Sequence, residues 1–194
     1  MTNQTDTSTE RERSPERTAE NDAPQSDAAA MYAVLAECWR EPGHRLVEAA
    51  EAGALEPVFG DLGPVDLDDL RTEHTRLFIG PAGPPCPPYE SVYRDRDDPD
   101  ELGPVKGPAT MAVTRWYREF GVRPAQDHSD LPDHLATELE FAAYLAEEGF
   151  DERLEQFCEE HLRAWTEEFT GRVEDETSER FYESLAATTR EVVG

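Results

Sequence analysis

The chain has 194 residues, 37% of them hydrophobic and 32% charged, with a formal net charge of -26. That length allows one domain with a sizeable core, while the acidity disfavours nucleic acid and anionic membrane as partners, since both reward cationic surfaces. Lys106 is the only lysine and acidic side chains run through every segment, a pattern suited to the concentrated salt of a halophilic cytoplasm.

Cys38, Cys86 and Cys158 are odd in number and widely spaced, which argues against a disulfide framework and for a reducing compartment. No run of 18 apolar residues occurs, so no membrane insertion is expected. Arg11, Arg13 and Arg17 are unpaired and no apolar stretch follows them, so they do not read as a secretory or twin-arginine leader. A cytoplasmic location is the expectation.

Residues 1–26 have almost no large apolar side chain to offset their ordering entropy and are expected to form a disordered tail, leaving 27–194 as one all-helical domain. Asp27 reads as the cap of a first helix carrying Met31, Val34, Leu35 and Cys38, stopped by Pro42-Gly43. A second helix is expected over His44 to Ala52, followed by a loop punctuated by Gly53, Pro57, Gly60, Gly63 and Pro64. Asp66 caps a third, with Leu67, Leu70, His74, Leu77 and Phe78 on one face.

A long connection follows. Five prolines between 81 and 88 exclude both helix and central strand, and the aromatic residues Tyr89 and Tyr93 stand just beyond them. Such a stiffened, aromatic surface suits the holding of another chain, or equally a crossover packed on a core. Helical pattern resumes near Ala109 with Met111, Val113, Trp116, Tyr117 and Phe120 and stops at Gly121. Pro132 and Asp133 suit the first turn of the next helix, which runs to about Glu148 with Leu135, Leu139, Ala142 and Ala146 inward. Leu154, Phe157, Cys158, His161, Leu162, Trp165 and Phe169 form the strongest helical stripe, and a last helix over about Thr177 to Val193 turns Phe181, Leu185, Thr189 and Val192 inward. The sum is an all-α bundle of about seven helices or more, with a long Pro/Gly-rich loop between the third and fourth.

Cys158 and His161 are spaced for one metal ion, but their place in an apolar stripe favours core packing, and no metal or cofactor is expected. Ser91 and Cys86 lack the surroundings of a nucleophile, and the glycines match no phosphate-binding spacing. Asp133-His134 reads either as a helix start or as a pair that could hold a polar or cationic group, and Tyr89 as a core anchor or a binding contact.

Three motifs in order, Leu77-Phe78-x-Gly80-Pro81, Pro87-Pro88-Tyr89-Glu90-Ser91-Val92-Tyr93, and Leu131-Pro132-Asp133-His134-Leu135 with Glu138-Leu139-x-Phe141, resemble those of the TorD/DmsD family. The resemblance covers roughly residues 28–193. It implies a cytoplasmic chaperone, not an enzyme, that binds the twin-arginine signal peptide or apo form of a molybdopterin oxidoreductase of the dimethyl-sulfoxide or trimethylamine-oxide reductase type until its cofactor is inserted. Carried over by motif, the peptide-binding residues are His74, Leu77, Phe78, Pro88, Tyr89, Asp133 and His134. Relatives of the dimethyl-sulfoxide reductase chaperone often carry Trp at the positions of His74 and Tyr89, which implies a more polar contact here. A guanidinium-bearing peptide also needs carboxylates, for which Glu73, Glu90 and Asp133 are the candidates. Two other readings stand beside this one: a nitrate-reductase-type chaperone acting on a catalytic subunit, and a metal-dependent helical hydrolase using His74, Asp133 and His134. Either a monomer or a dimer fits the sequence.

Overall fold

A computed structural model describes residues 22–80, 83–123 and 130–194. Among the described residues ten α-helices follow one another: α1 (Asp22–Cys38), α2 (His44–Glu51), α3 (Glu56–Phe59), α4 (Leu67–His74), α5 (Glu90–Arg94), α6 (Pro108–Glu119), α7 (Leu135–Glu147), α8 (Asp151–Glu160), α9 (Thr166–Glu176) and α10 (Arg180–Val193). A π turn over Thr75–Ile79 continues α4, and a 3-10 turn over Leu162–Ala164 links α8 to α9. Among the described residues there is no strand, and the all-helical expectation holds.

The elements follow from their sequences, with instructive departures. Helix α1 starts at Asp22, ahead of the expected Asp27 cap, so residues 22–26 are helical; the rest of the expected tail lies outside the described residues. The stretch after α2 is less open than its glycines and prolines imply, because the one-turn α3 puts Phe59 into the core between buried Leu55 and Leu62. Asp66 does cap α4, accepting from the backbone N–H of Asp68 at 2.9 Å and Asp69 at 3.1 Å. The π turn, closed by Gly80 N–H donating to Thr75 O at 2.8 Å, adds a residue to the last turn, and both Leu77 and Phe78 are buried there.

Pro132 and Asp133 lie in a turn ahead of α7 rather than in its first turn. His134 is the N-cap, its Nδ1 accepting from Ala136 N–H at 3.1 Å. The long stripe from Leu154 to Phe169 is not one helix: it breaks at His161, yet the 3-10 turn keeps Leu162 and Trp165 buried. The last helix starts at Arg180, and Val193 rather than Val192 is its buried terminal valine.

Helix α7, buried over most of its surface, packs along α1, while α9 and α10 pack together on the other side of the core. Between them an aromatic cluster joins Trp39, Phe78, Phe169 and Tyr182, with ring centroids 5.0–6.2 Å apart in the contacts Trp39–Phe169 and Phe78–Phe169. Trp39 satisfies its indole N–H on Thr189 Oγ1 at 2.9 Å. The connection between the π turn and α6 is tied at several points. Cys86 N–H donates to Leu77 O at 3.0 Å and Gly103 N–H to Val92 O at 2.8 Å. The Asp95 carboxylate accepts from Ala109 N–H at 2.8 Å and so caps α6; a side chain at Gly107 would collide with it.

Candidate functional site

Prolines leave the central loop few N–H donors, so its path is fixed by those that remain. Glu90 N–H donates to Asp133 O at 2.9 Å and Leu135 N–H donates to Pro88 O at 3.0 Å. The exchange makes an antiparallel bridge between Tyr89 and His134, whose rings meet edge to face at 5.2 Å. Two motifs more than forty positions apart in sequence thereby form one wall.

In front of that wall lies an open cleft of about 470 Å³. Pro88, Tyr89 and His134 meet His74, Phe78 and Ile79 there, and the end of α1 adds Trp39 and Arg40. The His74 and Phe78 rings are 5.0 Å apart, edge to face. Ile79 is 59% exposed and offers an apolar surface at the mouth. Glu37, Glu41 and Asp130 give the cleft its acids.

Burial keeps both histidines neutral: His74 is pushed below its ordinary range, and His134 to about 4. With its Nδ1 accepting from Ala136, neutral His134 carries its hydrogen on Nε2 and is a donor. Burial likewise holds the Tyr89 hydroxyl above its usual range, so it remains a phenol. The cleft therefore combines aromatic and aliphatic surface, neutral donors and separate carboxylates. It suits an extended peptide carrying both apolar and basic side chains.

Of the residues expected from sequence, His74, Phe78, Pro88, Tyr89 and His134 line this cleft together. Leu77, Glu90 and Asp133 do not, and each is fully buried. Leu77 faces the core because the π turn aims it there. Glu90 accepts from Arg94 and lies 2.9 Å from His161 Nδ1, and these partners outweigh burial to hold its carboxyl below the usual range. Asp133 Oδ2 accepts from Ser91 N–H at 3.1 Å, fixing the start of α5.

Glu138 completes this buried group. Its Oε2 accepts from Trp165 Nε1 at 3.2 Å, and burial next to Glu90 pushes its carboxyl well above the usual range, so it keeps its proton. Glu73, another expected acid, is engaged by Arg76, Thr177 and Ser178 and held at about 2, mainly by its hydrogen bonds from Arg76. The acids expected to receive a peptide arginine are thus internal struts. Those that border the cleft, Glu37, Glu41 and Asp130, stand outside the motifs; the C-terminal end of α1 and the residues after it supply the first two and the segment ahead of α7 the third.

Cys158 and His161 are core residues with separate partners, Tyr32 at 3.7 Å and Glu90. Among the described residues no three His, Cys, Asp or Glu side chains gather closely enough to hold a metal ion.

Among the described residues the geometry defines an all-helical bundle with an open, acid-edged cleft. The chain belongs to the nitrate reductase delta subunit family, whose profile matches residues 22–171. It is 33% identical to the Tat proofreading chaperone DmsD of Salmonella typhi over 140 residues, which are 72% of this chain but 66% of that relative, just under two thirds of its length. It is 28% identical over 170 residues to a chlorate reductase assembly chaperone protein of Ideonella dechloratans, covering 81% of this chain and 77% of that one. A crystal structure from Archaeoglobus fulgidus, described as a candidate redox enzyme maturation protein, shares 27% identity and superposes with a TM-score of 0.62 over 84% of this chain and 91% of that one.

Proposed function

We propose that this protein is a cytoplasmic maturation chaperone without catalytic turnover, and that its cleft holds the twin-arginine signal peptide of a molybdopterin oxidoreductase precursor until cofactor insertion is complete. The observation that carries this reading is the convergence of His74, Phe78, Pro88, Tyr89 and His134 on one cleft edged by acids. The peptide's apolar run lies on Phe78, Ile79 and Tyr89, and its guanidinium groups reach Asp130, Glu37 and Glu41. The names of the relatives, a Tat proofreading chaperone and an assembly chaperone, support the same client class. Among the described residues no helix is long and apolar enough to cross a membrane.

A second reading, in which the body of the enzyme subunit is the main contact, takes its support from the name of the chlorate reductase assembly chaperone protein, which mentions a reductase and no signal peptide. A hydrolase built on His74, Asp133 and His134 is disfavoured, because the Asp133 carboxylate is buried against Ser91.

Calorimetric titration in molar potassium chloride tests the proposal, using twin-arginine peptides of molybdenum enzymes from the same genome and their Lys-Lys counterparts. The expected result is micromolar binding that weakens with the lysine pair and falls about tenfold with Tyr89→Ala. No binding by any such peptide, with capture of a leaderless subunit, would establish the second reading instead.

A further inference from the structure

Four arginine–carboxylate pairs among the described residues are closed forks, those of Arg76 with Glu73, Arg96 with Glu168, Arg163 with Glu155 and Arg190 with Glu174. Arg96 meets Glu168 through two hydrogen bonds of 2.8 and 2.7 Å, and Arg190 meets Glu174 through two of 2.9 and 2.7 Å. Arg40, in the cleft, is held differently. Its Nη1 is 3.0 Å from Glu140 Oε1 and its Nε is 3.8 Å from Asp130 Oδ2, while Nε and Nη2 make no hydrogen bond at all. A guanidinium that is 11% exposed and has two unused donors is tethered rather than locked. Its two carboxylates differ: Asp130 lines the cleft, whereas Glu140 lies on the exposed side of α7.

Resting on the proposal that the cleft takes an arginine-bearing peptide, we infer that Arg40 is an internal competitor for the client's arginine and sets how strongly the cleft binds it. In the free protein Arg40 leans on Asp130 and partly neutralises it. When the client's guanidinium takes Asp130 as a bidentate partner, Arg40 keeps Glu140 alone. The loose 3.8 Å contact is what yields, because it carries no hydrogen bond. A cation of the same chemistry as the ligand also gives selectivity, since only a group that holds Asp130 better than Arg40 does can enter. An arginine fork does so and a lysine ammonium does not. Two guanidinium groups about 7 Å apart, in a partly solvated cleft, repel by enough to change Kd about three- to tenfold.

The experiment is titration of wild type, R40Q, E140Q and D130N with one Arg-Arg peptide and its Lys-Lys form, at the lowest potassium chloride concentration that preserves the wild-type circular dichroism melt. R40Q is expected to bind the Arg-Arg peptide about three- to tenfold more tightly, to accept the Lys-Lys peptide more readily, and to lose the advantage as salt is added. E140Q, which leaves Arg40 to Asp130 alone, is expected to weaken binding, and adding D130N to R40Q removes the gain. Unchanged or weaker binding by a folded R40Q, with wild type still binding, overturns the competitor role and leaves the proposed function standing. Failure of both proteins to bind overturns the proposed function and this inference with it.

Discussion

The same kind of side chain does opposite work on the two sides of the Tyr89–His134 wall. Behind it, Glu90, Asp133 and Glu138 are fully buried and matched against Arg94, His161, Ser91 and Trp165. In front of it, Glu37, Glu41 and Asp130 border open space. A buried carboxylate must be compensated in place and so becomes a strut; an accessible one is free for a ligand. The wall's position depends on the first set, and its charge on the second.

Removing a strut should give the largest effect. Glu90→Ala strands His161 and Arg94 beside a buried gap, and about 3–5 kcal/mol of stability should be lost in denaturant titration. Glu138→Gln is the sharpening control. Its carboxyl is already neutral, so an amide of the same shape should cost no more than about 1 kcal/mol. A loss for Glu138→Gln as large as that for Glu90→Ala would show that Glu138 carries a matched charge in the fold rather than a proton.

Next comes the response to pH. His134 has a folded value of about 4 against an ordinary 6.5, so between those values the unfolded chain binds a proton that the folded one refuses. Stability is therefore full above about pH 6.5 and falls as pH drops toward 4, by about 3 kcal/mol from this residue. His74 is displaced in the same direction and adds to the slope. Glu138, displaced upward, works with the opposite sign, its contribution present below 4.5 and lost as pH rises through its folded value. Asn retains an acceptor for the Ala136 N–H, so His134→Asn should fold and show a flatter profile between pH 4 and 6.5. An unchanged slope in that variant would assign the acid sensitivity elsewhere.

Much of this arrangement was legible in the sequence, and the reasons for the rest are physical. The Asp66 cap and the inward face of α7 were readable because caps and 3.6-residue periodicity are local properties. The break at His161 was not, because the stripe of buried residues continues through the 3-10 turn and hides the change of geometry. The motifs named residues that the fold brings to one wall, but not the direction in which each side chain faces. Acidic residues beside an aromatic loop read as exposed, since isolated carboxylates seldom enter a core; the partners of Glu90 lie on its own helix and far away at His161. Glu37, Glu41 and Asp130 carry no local signal at all, because α1 and the turn before α7 approach the loop only in the folded chain.

The smallest effect on stability, and the clearest test of the contrast, belongs to Glu41. It is exposed and forms no ion pair among the described contacts, yet it is close enough to His74 to oppose the downward push of burial on that ring. Glu41→Gln should leave the denaturation midpoint within about 0.5 kcal/mol of wild type. Its consequence should instead be kinetic: stopped-flow association of an Arg-Arg peptide should slow by a few-fold at low salt and converge with wild type as salt rises, with little change in the dissociation rate. A carboxylate that steers in this way contributes before contact is made, which a strut such as Glu90 cannot do from a buried position. Loss of stability in Glu41→Gln, or a change confined to dissociation, would mean that the acid at this edge is part of the wall's support after all.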